Sequence, residues 1–225
     1  MSAYKEQMMN EYFKLHPQIQ KRFDFSTQNN IAFIGNGRME NIWVGNSWTV
    51  LILKMLSKSN ILFPKTGKDI EFEIHNYPYI DSFGREVHSM NRVFYFPDGE
   101  QRFDGTVLFS NKSNQIIEYL GLDQKIFFKM GLSAEENGAI KFVSEEQYLI
   151  FFGKKIRISS FIRGNIELLE WFNDDENRFY LDLKVSTKLF GPLFGFTGWF
   201  TGEYKDFKNG YLPQKFKPTF EQKLE

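Results

Sequence analysis

The chain has 225 residues, 42% of them hydrophobic, with 28 Lys or Arg balanced by 28 Asp or Glu and no cysteine. An all-β domain can run to ~200–250 residues, and the lack of cysteine removes disulfides, thiolate metal sites, iron–sulfur clusters and a cysteine nucleophile together. The flat charge balance argues against nucleic acid held mainly through its phosphates, which calls for a basic excess or stripe.

The first 24 residues read as helical. Met8, Met9, Tyr12, Phe13 and Leu15 recur at the three-to-four-residue spacing of an amphipathic helix. They form no apolar signal region, so the chain, also free of cysteine, is expected in the cytoplasm. Pro17 breaks the helix and suits the first turn of a second one, Gln18–Phe23. Ile31–Val44 reads as a strand containing Gly35-Asn36-Gly37. A dinucleotide fingerprint would need a third glycine where Glu40 stands, and a helix where Asn41–Val44 reads as strand. A bulge or a close backbone approach fits better. Ser47 can cap a helix, Trp48–Leu56, that carries Trp48, Leu51, Ile52 and Met55 on one face.

From residue 69 the period changes to two. In Asp69–Tyr77, Ile70, Phe72 and Ile74 alternate with Glu71, Glu73 and His75, the pattern of a half-buried strand. Residues 81–84 turn the chain, Arg85–Phe96 returns, and Pro97-Asp98-Gly99 turns it again. Further strands are expected at 102–110, 115–120, 125–130, 139–143, 147–152, 155–162, 166–172, 178–186 and 194–204. The expected fold is mainly β with N-terminal helices (α+β). Nine or ten strands form a curved, up-and-down antiparallel sheet or a partly closed β-barrel, with the helices capping one end or packing on the concave face. One domain is expected over 1–225, with its core in 4–204 and a C-terminal tail at 205–225. The longest apolar stretches, Trp48–Leu53 and Leu189–Phe200, fall short of the ~18–20 residues that span a bilayer, so no transmembrane segment is expected.

Phenylalanine is the compositional outlier, 26 residues. Large flat side chains fill wide spaces between strands or line apolar ligand cavities. On the Arg85–Phe96 strand, His88, Met90, Arg92, Phe94 and Phe96 share one face. If that face is the core, Arg92 points inward and needs a partner. The partner is either a carboxylate of the protein or the anionic head of a ligand, since the planar fork of Arg fits both; an outward Arg92 would need neither. His75 and His88 flank the 81–84 turn and could meet across a hairpin, as metal ligands or as acid and base. Against that, the alternation puts His75 on the solvent face, and no third ligand has suitable spacing. The Gly-rich aromatic run 189–200 reads as a sharply bent strand or as a Phe/Trp-lined mouth. Lys154-Lys155 and Arg157, the densest basic spot, read as a solvated hairpin end.

No nucleophile elbow, His-Glu-x-x-His or phosphate loop is present, and no catalytic residue, metal or cofactor is assigned. The leading expectation is a non-enzymatic binding protein for a small apolar or amphipathic molecule, with Arg92, His88, Met90, Phe94, Phe196, Trp199 and Tyr204 as ligand residues. Two rivals stand beside it. One is an enzyme with a His75/His88/Arg92 cleft. The other is a structural or partner-binding domain with Trp43 and Trp199 in an exposed patch.

Several of these residues carry a resemblance. Leu15-His16-Pro17 with Phe23, Phe33-x-Gly35-x-Gly37-x-Met39, Arg92-x-Phe94 and the run Gly191-Pro192-Leu193-Phe194-Gly195-Phe196-x-Gly198 follow one order over residues 4–204. The chain resembles the bacterial family catalogued as domain of unknown function 4166. The resemblance implies a bacterial protein, hints at an accessory role because related domains are sometimes attached to reductase-like ones, and transfers no catalytic residue. The family commonly has tryptophan two residues before the matching arginine. Met90 stands there instead, which weakens the case that this site is fixed by function.

Overall fold

The computed structural model describes residues 2–24, 26–207 and 211–223. Its elements are α1 (Ala3–Met8), α2 (Pro17–Phe23), β1 (Ile31–Val44), α3 (Ser47–Leu56), β2 (Gly67–Ile80), β3 (Glu86–Phe96), β4 (Gly99–Ser110), β5 (Gln115–Leu120), β6 (Ile126–Ala134), β7 (Ile140–Phe151), β8 (Lys154–Arg157), β9 (Asn165–Asn173), β10 (Arg178–Thr187) and β11 (Gly191–Asp206). All strand pairs are antiparallel. β6 pairs with β7 and β11 pairs with β1, so ten strands close into a meandering barrel and β8 hangs as a hairpin on β7. Among the described strands, closure leaves the short β8 with a free edge.

The closing seam explains the glycines. β1 and β11 pair from Ile31↔Asp206 to Val44↔Phe194, with a bulge between Met39 and Asn41. A Cβ on Gly37 would stand 1.9 Å from the Trp199 carbonyl oxygen, and one on Gly198 would stand 2.3 Å from that of Arg38. The two backbones are therefore in van der Waals contact where a side chain would wedge them apart. The close approach expected for Gly35-Asn36-Gly37 is found.

Phenylalanine fills the lumen. Phe94 meets the rings of Phe72, Phe63 and Phe196 at centroid distances of 5.1, 4.9 and 5.3 Å. Phe179 stacks on Phe200 at 5.2 Å. The helical segments stop the two ends of the barrel. At one end, α1 packs on β4–β6 and α2 packs on β9, sending Tyr4, Ile19, Arg22 and Phe23 inside. His16 fixes this plug. Its backbone N–H donates to the Gly138 carbonyl, its Nδ1 accepts from the Gln18 N–H to cap α2, and its ring stacks on Phe172. At the other end, Leu53 of α3 and Phe63 close the lumen. Residues 211–223 cross the outer face of β2–β5. Leu212 and Phe216 cover a second apolar cluster there, and Gln222 bonds Gln124.

Three local expectations are corrected. The N-terminal helix does not run through. Met9 has φ +50° and the chain tightens into a 3₁₀ segment over Met9–Lys14, so Met8, Tyr12 and Leu15 point inward while Met9 and Phe13 are exposed. α3 is capped by Asn46, whose Oδ1 accepts from the Thr49 N–H. Only its Thr49/Leu53 side meets the barrel, because Phe63 already fills the mouth; the Trp48/Leu51/Met55 face is turned to solvent. Finally, the strands expected at 139–143 and 147–152 are one, and the polar Ser144-Glu145-Glu146 does not interrupt them. It lies within β7, where that strand leaves β9 and takes up β8, and the Ser144 hydroxyl accepts from Ile166 N–H.

Candidate ligand site inside the barrel

Inward alternation places charged groups deep in the lumen. On β3, Met90, Arg92 and Phe94 face in. On β4, Phe103, Gly105 and Val107 do, and on β5, Ile116, Glu118 and Leu120. β9 contributes Leu168 and Glu170, and the plug contributes Tyr4, Arg22 and Phe23. Gly105 makes room for Glu118, since a Cβ there would lie 2.4 Å from its Oε1.

Arg22 is 0% exposed, and its Nε lies 3.4 Å from Oε1 of Glu170. Its guanidinium sits 4.2 Å from the centre of the Phe33 ring. Arg92 points inward, 4.8 Å over the ring of Phe103, its register partner. The Nη1 of Arg92 makes no hydrogen bond among the described residues. Burial pushes the Glu118 carboxyl up, with Arg92 pulling against it. Burial likewise raises Glu170, opposed by Arg22 and then Arg92. Burial and the nearby Glu118 hold the Tyr4 hydroxyl far above its ordinary value. The inward Arg92 therefore has carboxylates in its field, yet it forms no salt bridge with Glu118 within 4 Å.

Beside these groups lies a cavity walled by Tyr4, Arg92, Phe103, Glu118, Phe142 and Glu170, among others. Its volume, measured to water centres, is about 30 Å³, room for one or two waters. A charged lining around so small a space suits a hydrogen-bonded water or a single small polar head.

The expected ligand residues divide. Arg92 and Met90 line the cavity. Phe94 and Phe196 face inward but belong to the aromatic filling near the α3 mouth. Tyr204 faces inward beside Phe33, 5.2 Å between centroids, with its hydroxyl pushed to about 12 by burial. His88 is inward and stacks on Tyr4 at 6.3 Å, but it opens on an external groove of about 620 Å³ at the plugged end, next to Glu86. Trp199 is the correction. It sits on the outer face with Arg178 4.0 Å over its ring, because β11 turns Gly198 and Phe200 inward instead.

The His75/His88/Arg92 cleft does not form. Register pairs His75 with Asn91 and His88 with Pro78, so the two histidines lie on opposite faces of the sheet. His75 is outside, half-buried under Phe216 at 4.4 Å, with Nε2 2.9 Å from Glu73. Burial lowers its pKa, partly offset by Glu73. Trp43 is not part of an exposed patch either; it folds over Gly195, with ring atoms 2.4 Å from where a Cβ would be. Among the described residues, no three His, Cys, Asp or Glu side chains gather as a metal site.

Three titratable residues of the cavity were missed, Tyr4, Glu118 and Glu170, and so was Arg22, the buried partner of Glu170. Glu118 was legible, since Ile116, Glu118 and Leu120 alternate on one face of β5, and so was Arg22, which shares a helical face with Ile19. A lone acid or base among apolar residues on a core-facing period is the signal.

A relative of similar length, the uncharacterized protein YndH of Bacillus subtilis (strain 168), is 28% identical over 206 residues, covering 92% of this chain and all of that protein. The model of the family described as Domain of unknown function (DUF4166) matches residues 15–200. The match spans the plug anchor at His16, the glycine seam and the Arg92 strand, and the chain belongs to that family.

Proposed function

We propose that this barrel binds a small amphipathic molecule in its lumen, with an acidic head at Arg92 and a short apolar body among Phe103, Phe128, Met130 and Phe142. One observation carries the reading: a guanidinium 5% exposed keeps an unbonded Nη1 beside a cavity. A buried donor left unmade costs free energy, and a carboxylate head would satisfy it bidentately. The raised pKa of Glu118 supports the same polarity, because a carboxyl whose burial favours its neutral form repels an incoming anion less.

The small cavity adds a mechanical requirement. Anything larger than water needs the plug to give way, and Tyr4 of α1 and Phe23 of α2 supply two aromatic walls. Entry therefore runs through the N-terminal end, where α1 borders the His88 groove.

The test is native mass spectrometry and thermal melting with linear carboxylates of increasing length. A ligand at a hundred times its Kd adds about 2.7 kcal/mol, and in a chain of this size that raises Tm by roughly 5–10 °C. Arg92→Met should abolish the gain, and Arg92→Lys should reduce it. No adduct and no gain across the series, or an undiminished gain in Arg92→Met, would overturn the reading.

A further inference from the structure

The end of the barrel opposite the plug carries an unusual surface. The exposed face of α3 presents Trp48, Leu51 and Met55, with Trp48 70% exposed. The tip of the β7–β8 hairpin presents Phe151 and Phe152, the latter 89% exposed. Beyond β8, Phe161 and Ile162 are also turned out, as is Leu189 in the β10–β11 turn. These segments adjoin. Leu189 N–H donates to the Phe161 carbonyl, and Gly45, just before α3, donates to Leu193. Soluble monomers rarely expose large contiguous apolar patches without a use for them.

Charge is sorted in the same place. Residues 45–66, 151–164 and 187–190 hold eight Lys or Arg and no Asp or Glu, in a chain whose totals balance at 28 each. Arg157 and Lys65 are engaged by Glu146 and Asp98. Lys54, Lys58, Lys154, Lys155 and Lys188 form no salt bridge among the described residues, and all are exposed. The densest basic spot of the sequence thus lies directly beside exposed phenylalanines.

We infer that this end of the barrel docks on the surface of an anionic lipid bilayer. The apolar tips enter the interfacial region and the lysines meet the headgroup charge. Interfacial binding combines those two contributions, and Trp and Phe at the rim of a basic face are placed as interfacial anchors. A protein partner fits less well, because protein interfaces favour arginine over lysine. Single-stranded nucleic acid would use Trp48, Phe152 and Phe161 as stacking platforms, but the aliphatic Leu51, Met55, Ile162 and Leu189 on the same surface add nothing to stacking and suit a lipid interface. No helix among the described residues is long and apolar enough to cross a membrane. This inference is independent of the lumen ligand, and Arg92→Met should leave it intact.

The test is co-sedimentation of the whole chain with phosphatidylcholine vesicles, with and without about one third phosphatidylglycerol. Binding at least tenfold tighter to the anionic vesicles is expected, weakened at 0.5 M salt. Phe152→Ser with Phe161→Ser should lose tenfold or more on the anionic vesicles, and Lys154→Glu with Lys155→Glu likewise. All four positions are exposed, so unchanged melting curves confirm that the variants fold. Three results would overturn the inference: no preference for anionic vesicles, wild-type binding by both double variants, or a salt-resistant dimer in sedimentation velocity that the serine variant abolishes. Retention on single-stranded nucleic acid that exceeds vesicle affinity would overturn it too.

Discussion

Removing the charge of Glu170 probes the buried network most sharply. Glu170→Gln keeps the side-chain shape but leaves Arg22, 0% exposed, without its opposite charge at 3.4 Å and still within the field of Arg92. Breaking one member of a buried pair costs about 3–5 kcal/mol, and neither group is exposed enough for solvent to screen that cost. For a chain of this length Tm should fall by about 6–20 °C. Arg22→Met should cost a similar amount, adding the loss of its ring contact with Phe33. The double variant Arg22→Met/Glu170→Gln should be less damaged than the sum of the singles by more than about 1 kcal/mol, because neither charge is then stranded. Urea unfolding of the four proteins measures this cycle. Additivity within about 0.5 kcal/mol would refute the pairing.

Other predictions follow from single contacts. Gly37→Ala forces a methyl against the Trp199 carbonyl at the closing seam; a loss of about 1–3 kcal/mol or more should appear in urea unfolding, and a neutral result would mean the seam is looser than described. His16→Ala removes the cap of α2 and should cost about 0.5–2 kcal/mol, with faster hydrogen exchange in residues 17–23 than in β3. The depressed pKa of His75 supplies stability that is present above 6.5 and lost as pH falls through its lower folded value; Phe216→Ala should move its NMR titration up toward 6.5, and an unchanged midpoint would exclude the Phe216 cover as the cause. Glu118 works in the opposite sense. Its raised pKa gives stability that is complete below the ordinary 4.5 and lost as pH rises through the folded value, so Glu118→Gln should flatten the decline in stability that sets in above about pH 4.5.

The period-two rhythm after residue 69 carried most of the fold, because a strand with one buried face alternates whether its sheet is open or closed. Closure itself was not readable. It depends on β11 finding β1 across some 160 residues of intervening chain, and local alternation says nothing of that pairing. The helices misled in part because period alone does not tell which apolar face is buried. In α3 the greasy face is the outward one, since Phe63 from a later segment had already filled the mouth. Arg92 was found because it breaks an apolar face. Trp199 was misassigned because Gly198 and Phe200 take the inward positions of β11. Glu170 and Tyr4 come to the cavity from elements far apart in sequence, and only tertiary packing brings them to Arg92.

The most direct test of lumen binding watches Arg92 itself. With ¹⁵N-labelled arginine, the Nε–Hε resonance of Arg92, assigned by its loss in Arg92→Lys, can be followed during titration with a medium-chain carboxylate. A saturable shift is expected, with Arg92 moving more than exposed arginines such as Arg157 and with Tyr4 ring signals changing at the same midpoint. A resonance that stays still at millimolar ligand, or shifts that appear only in surface arginines, would contradict the interior site.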